Sequence, residues 1–249
     1  MWLKACLNGN RPAGAHPALP TTPEGLAADA AAVREAGAQA VHVHPRDAGG
    51  RESLGSADIG AAVEAIRAAA PGLPVGVSTG LWITEGDARA RQEIVRGWAR
   101  LPEPARPDFA SCNLSEEGFG DLALAVMDAG IDVEAGVWSA RDAEALADSG
   151  VAGQMLRILI EVIDVPAGQA WPSAERVLAR LDELGLPVPR LLHGEGPAAW
   201  PLIDEAIRLG LPTRIGLEDV LHGPAGDPVS GNAELVRLVL SRPGARTGP

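Results

Sequence analysis

The chain has 249 residues, 46% hydrophobic and 22% charged, enough for one large core and within the length at which an α/β barrel forms a single domain. Its net charge of −12 and pI of 4.8 repel a phosphate backbone, so no nucleic-acid role is expected, while a local basic pocket for a small anion stays open. No apolar run approaches the roughly 20 residues that cross a bilayer and no leader-like start is evident, so the expectation is a cytoplasmic protein with no membrane partner, assembled as a homo-oligomer.

Strand and helix signals alternate along the whole chain. The first strand is placed at 3–8. A helix follows Thr22-Pro23-Glu24, a capping threonine with proline in the first turn, and stops at Gly37. Strand two is 40–44, then a helix over 56–70. Strand three is 74–78, with a helix over 84–100. Strand four is 108–113 and its helix 120–129. Strand five is 132–138, with a helix over 139–148. Strand six is the β-branched run 155–162, its helix 173–184. Strand seven is 190–193, its helix 197–209. Strand eight is 213–217, and the last helix is 232–240. Residues 242–249 are expected to fray. Eight strand–helix units predict a closed (β/α)8 TIM barrel over 1–249. An open doubly wound sheet would place a glycine-rich phosphate turn after strand one, where the sequence instead reads Asn8-Gly9-Asn10-Arg11-Pro12.

Cys6 and Cys112 lie in apolar, strand-like runs and are expected as buried reduced thiols. Lys4 is the only lysine; it starts the first strand, the wrong end of a barrel for Schiff-base chemistry.

A barrel builds its site at the C-terminal ends of the strands, and polar residues gather there. Strand two carries Val41-His42-Val43-His44. Residues two apart point to the same side, so the two imidazoles face the barrel mouth together, either as metal ligands or as a hydrogen-bonded polar layer. Glu218, on neighbouring strand eight, is the candidate third ligand or else a salt-bridge partner of Arg214. Asp219 is a candidate general base that Arg214 would orient, or a solvated rim carboxylate. Ser78-Thr79-Gly80 makes either an anion-binding turn for substrate or simple turn chemistry. Asn113, Glu134, Glu161, His193 and Glu195 also end strands, and Trp82 and Trp138 are pocket walls or packing.

In order, His16-Pro17-Ala18-Leu19-Pro20, Thr22-Pro23-Glu24, Val41 to Asp47, Ser78-Thr79-Gly80, Glu134 and Arg214-Ile215-Gly216-Leu217-Glu218-Asp219 resemble the β-keto acid cleavage enzymes over nearly the whole chain. The resemblance implies a zinc-dependent TIM barrel that condenses a β-keto acid with acetyl-CoA, giving acetoacetate and a new acyl-CoA. It implies His42, His44 and Glu218 on Zn2+, Asp219 as base with Arg214 in support, Ser78 on the substrate carboxylate, and Glu134 among the catalytic groups. Two segments depart from the family pattern. Strand seven reads Leu191-Leu192-His193-Gly194-Glu195-Gly196, and the loop after strand one carries Asn10-Arg11 in place of an acidic residue. Arg11 is therefore expected either to bind substrate and favour neutral or anionic β-keto acids over amino-substituted ones, or to pair with a nearby protein carboxylate. The competing readings are a metal-dependent hydrolase on the same barrel and a non-enzymatic metal-binding barrel.

Overall fold

The computed structural model describes residues 1–245. Among them the elements run β1 (Leu3–Cys6), α1 (Pro23–Ala36), β2 (Ala40–Val43), α2 (Ser56–Ala69), β3 (Val75–Ser78), α3 (Ala88–Arg96), β4 (Phe109–Asn113), α4 (Phe119–Asp128), β5 (Asp132–Val137), α5 (Ala140–Asp148), β6 (Arg157–Val162), α6 (Ala167–Glu183), β7 (Arg190–Gly194), α7 (Ala199–Leu209), β8 (Thr213–Ile215) and α8 (Asn232–Leu240). The strands pair in parallel in the order β7-β6-β5-β4-β3-β2-β1-β8. The ring closes where the Leu192 N–H donates to the Pro212 carbonyl at 3.0 Å and the Thr213 hydroxyl donates to the Leu192 carbonyl at 2.7 Å. This is a single-domain (β/α)8 TIM barrel.

The period-two alternation of the strands sets the two layers. Leu3, Ala5 and Leu7, Val41 and Val43, Val75 and Val77, Val133 and Val137, and Ile158 and Ile160 point outward and pack under the helices in one apolar core. Burial of each such Val, Leu or Ile contributes about 1.5–3 kcal/mol. The alternate residues fill the barrel. At its N-terminal end Lys4 Nζ lies 2.5 Å from Glu134 Oε2, Arg157 Nε lies 3.2 Å from Glu134 Oε1, and the Phe109 ring occupies the space left by Gly76. Lys4 is thus a buried counter-ion in the floor of the barrel, and Cys6 and Cys112 are free and buried.

The boundaries of five elements differ notably from the sequence expectation. The helix expected over 84–100 is broken at its start, because Glu85 (φ 53) and Gly86 (φ 88) are left-handed and α3 is capped afresh by Asp87, which accepts from the Ala90 N–H at 2.9 Å. Helix α6 begins at Ala167, ahead of Ser173, and carries Pro172 in its second turn at the loss of one helical hydrogen bond. Strands β1, β2 and β8 leave the regular ladder before residues 8, 44 and 217, which frees their C-terminal ends to shape the site. Of the tail expected to fray, Arg242 is ion-paired with Asp204, and 246–249 lie outside the described residues.

Candidate active site

The ends of β1, β2 and β8 are held together by side chains rather than by the ladder. The Asn8 carboxamide grips the main chain of His44, donating to its carbonyl at 2.8 Å and accepting its N–H at 2.9 Å. Asn232 accepts the Leu217 N–H at 2.6 Å and donates to the Leu7 carbonyl at 2.8 Å. Two glycines permit the approach. A Cβ on Gly216 would sit 1.8 Å from the Cys6 carbonyl oxygen, and a Cβ on Gly9 (φ +56) would sit 2.6 Å from Glu218 Cγ.

His42, His44 and Glu218 converge at this junction with all their ligand atoms within 4.8 Å of one another. His42 Nε2 and His44 Nε2 are 3.2 Å apart, and Glu218 Oε2 lies 3.9 Å from the first and 3.6 Å from the second. Two nitrogens each about 2.0–2.1 Å from a tetrahedral zinc stand roughly 3.3 Å apart, close to that spacing. The protonation states fit as well. Burial, reinforced by the nearby positive charges of Lys4 and Arg214, holds His42 well below the usual imidazole range, so it is neutral. His44 Nδ1 donates to Glu52 Oε1 at 2.5 Å, which leaves its Nε2 lone pair facing inward. Burial pushes the Glu52 carboxyl up, but the hydrogen bonds from His44 and Trp82 outweigh this and keep it ionised below the usual range. Glu218 Oε2 is buried with no hydrogen-bond partner among the described residues. Two inward-facing imidazole nitrogens and an orphaned carboxylate oxygen form a donor set that suits a divalent metal.

Asp219 lies directly beside this set, wholly buried. Arg214 NH2 bonds Asp219 Oδ1 at 2.7 Å and also lies 3.0 Å from Glu218 Oε1 and 3.4 Å from Glu195 Oε1. Asp219 Oδ2 has no partner among the described residues. Burial raises the Asp219 pKa, the Glu218 charge adds to this, and Arg214 opposes it. The result is a carboxylate oriented through one oxygen and basic at the other. Burial likewise pushes Glu195 up to about 8 and raises Glu161.

His42, His44, Arg214 and Glu218, with Glu161 and Glu195, border a cavity of about 290 Å³, whereas the wholly buried Asp219 is not part of its lining. Ser78, Ser111 and Asn113 line it together with Trp82 and Trp138, as do Glu161, Asp164 and Glu195, and Arg214 is the one cation of the lining. The Trp138 indole donates to Glu161 at 3.0 Å. His193 is buried behind Glu161, 3.7 Å from it, and burial with the nearby Arg214 keeps its imidazole neutral.

The sequence-predicted residues divide into two groups. His42, His44, Glu218, Arg214, Asp219, Ser78 and Asn113 come together. Thr79, Gly80, Glu134 and Arg11 do not border the cavity. The Thr79 hydroxyl donates to the Ser111 carbonyl at 2.6 Å, and the Gly80 N–H donates back to Ser78 Oγ at 3.2 Å. Glu134 is the partner of Lys4 in the floor. Arg11 follows Asn10 at the rim, and its Nε donates to the Leu217 carbonyl. Sequence reasoning missed Glu52, Ser111 and Asp164. It also missed the buried Arg91–Glu116 pair, which fixes the loops after β3 and β4. Glu52 lies in a loop with no periodicity to mark it, whereas Ser111 shares the inward face of β4 with Asn113 and was legible by alternation.

A barrel with an imidazole–carboxylate cluster and a buried aspartate–arginine pair at its strand C-termini has the organisation of an enzyme. The family described as BKACE, beta-keto acid cleavage enzyme, matches residues 1–241, and the chain belongs to it. Among solved structures, the binary complex of ObcA with oxaloacetate has a TM-score of 0.70 at 20% identity, covering 90% of this chain and 63% of that one. The ternary complex of ObcA with a C4-CoA adduct and oxalate gives the same TM-score of 0.70 at 20% identity, again over 90% of this chain and 63% of that one. The 3-dehydroquinate dehydratase of Geobacillus kaustophilus has a TM-score of 0.57 at 12% identity, over 97% of this chain and 92% of that one. At these identities the likeness is one of fold, and the chain spans 63% of the length of the ObcA structures. Among the described residues no helix is long and apolar enough to cross a membrane.

Proposed function

We propose that the protein is a zinc-dependent β-keto acid cleavage enzyme that exchanges acyl groups between a β-keto acid and acetyl-CoA. The observation that carries this reading is the unpartnered, buried Asp219 Oδ2, fixed by Arg214 beside the His42 and His44 imidazoles and Glu218. Family membership and the CoA adduct of the ObcA structure support the choice of a CoA thioester.

Removing a proton α to a carbonyl is difficult because the carbanion is unstable. A divalent metal held by His42, His44 and Glu218 would supply Lewis-acid stabilisation of the enolate. Ser78, with Ser111 and Asn113, binds the substrate carboxylate. Asp219 takes the proton from C2, and Arg214 keeps the base in register. The C2 carbanion attacks the thioester carbon of acetyl-CoA and the CoA thiolate leaves. The thiolate then adds to the original keto carbon and the bond from that carbon to C2 breaks. Acyl-CoA departs, and Asp219 returns its proton to C2, giving acetoacetate. The Trp82 and Trp138 walls limit water that would hydrolyse the thioester.

The side-chain preference reverses the sequence expectation. With Arg11 outside the cavity, Arg214 is the one cation of the lining and is already engaged by Asp219 and Glu218, so no free positive group awaits a second carboxylate, while Glu161 and Glu195, both raised in pKa, offer hydrogen bonds. Neutral or cationic β-keto acids are favoured over dicarboxylic ones. The experiment is a panel of β-keto acids with the zinc-loaded protein and acetyl-CoA, read by acetoacetate release. No acetoacetate from any of them, or CoA-independent hydrolysis, would overturn the reading.

A further inference from the structure

A second depression lies on the same face of the barrel as the catalytic cavity. It is a groove of about 830 Å³, bounded by the loops after β7 and β8. Residues one or two apart in sequence stand on opposite sides of the ridge between the two. Asn10, Glu195 and Glu218 border the cavity, and Arg11, Gly196 and Val220 border the groove. The cavity, at about 290 Å³, has room for a small keto acid but not for a nucleotide-bearing thioester. The groove's volume is that of a site for a large ligand.

The chemistry of the groove is anion-binding. Barrel enzymes frequently seat phosphate at the loops after strands seven and eight. In a chain of net charge −12, this groove carries Arg11 and Arg242 against a single carboxylate, Asp204. Arg242 is paired with Asp204 and stacks 5.4 Å from the centroid of the Trp200 ring. Arg11 has no carboxylate partner among the described residues; Arg46 donates to its main-chain carbonyl at 2.5 Å. The bond from Arg11 Nε to the Leu217 carbonyl puts this unpaired cation one residue from Glu218, where the groove meets the metal cradle. None of the large exposed apolar side chains of the protein lines the groove, which argues against an apolar subunit contact.

Building on the proposed acyl exchange, we propose that this groove seats the nucleotide end of coenzyme A, with Arg11 and Arg242 on its phosphates and Trp200 offered to the adenine. The pantetheine arm then crosses the ridge at Asn10 and Glu195 and delivers the thioester carbon to the cavity. Arg11, expected from sequence to read the keto acid, reads the co-substrate instead.

Calorimetric binding of CoA and of pantetheine, which lacks the phosphates and the adenine, tests the assignment without turnover. Arg11→Glu and His222→Glu are the variants. The His222 side chain is exposed, and the Trp200 indole bonds only its main-chain carbonyl, at 2.9 Å, so that change leaves the local bonding intact. Each variant is expected to raise the Kd for CoA by about tenfold or more while changing the Kd for pantetheine less than about twofold. Added salt should weaken CoA binding by the wild type and leave pantetheine binding nearly constant. Unchanged CoA affinity in both folded variants overturns the subsite and leaves the acyl exchange standing. So does a variant that alters the oligomeric state without altering CoA affinity, which would make the groove a contact between copies. A wild type that neither binds CoA nor releases acetoacetate overturns both readings.

Discussion

His44 Nδ1 sits 2.5 Å from Glu52 Oε1, and the second oxygen of Glu52 accepts the Trp82 indole N–H at 2.9 Å. One carboxylate in the loop after β2 thus sets both the tautomer of a proposed metal-ligating imidazole and the position of a cavity wall, since the Trp82 and His44 rings stack with centroids 6.3 Å apart. Loss of such an outer partner lowers metal affinity by about 10–100-fold. Glu52→Ala is expected to fall in that range by competitive chelator titration, whereas His44→Ala should abolish retention with the barrel still folded. Wild-type affinity in Glu52→Ala would mean that packing alone orients the ring.

Gly9 provides a test of the cradle that touches no ligand. Its φ of +56 strains any L side chain, and an added Cβ would lie 2.6 Å from Glu218 Cγ. Gly14 has φ +86 with nothing within 4 Å of its added Cβ, so it shares the strain without the collision. Both Gly9→Ala and Gly14→Ala should lose about 1 kcal/mol of stability. Only Gly9→Ala should weaken metal binding, by about tenfold, because Glu218 must move. Equal metal affinity in the two variants would show that the Glu218 side chain yields at no cost.

The barrel was legible because strand alternation and helix stop signals recur with one period along the chain. The convergence of His42 and His44 was legible because they lie two apart on one strand, a spacing that fixes their common face. Depth along the barrel and the path of the chain beyond strand ends were not legible. Glu134 is inward-facing, as alternation requires, but it lies deep enough that Lys4 takes it. Arg11 lies past the last residue of β1, where the chain turns over the rim and no periodicity applies. Glu52 and Asp164 sit in loops whose path depends on tertiary contacts, so local sequence could not place them.

Asp219 and Arg214 divide their labour, and kinetics can separate the two. Asp219→Asn keeps a group that can accept from Arg214 but removes the base, so kcat should fall about 10²–10⁴-fold with metal content unchanged. Arg214→Ala removes the group that holds Asp219 Oδ1 at 2.7 Å and also frees Glu218 Oε1, so it should damage turnover and loosen the metal modestly. Turnover near wild type in Asp219→Asn would remove Asp219 from the mechanism.

Away from the chemistry, Asp29 on α1 gives a pH-dependent term in stability. Its Oδ2 accepts from the Asn232 carboxamide at 2.6 Å, at the joint that ties β1 to β8. Burial raises its pKa from 3.8 to about 6, with the Asn232 hydrogen bond opposing. A raised carboxyl pKa means that the folded state holds the proton more tightly than the unfolded chain. Its contribution is therefore most favourable below the unfolded value of 3.8 and is lost as pH rises through about 6. Asp29→Asn mimics the protonated form and should stabilise the protein by roughly 1–3 kcal/mol near pH 8, with little effect near pH 3. Urea unfolding at the two pH values reads this difference. The same change in stability at both would show that burial of Asp29 carries no charge penalty and that Asn232 compensates it fully.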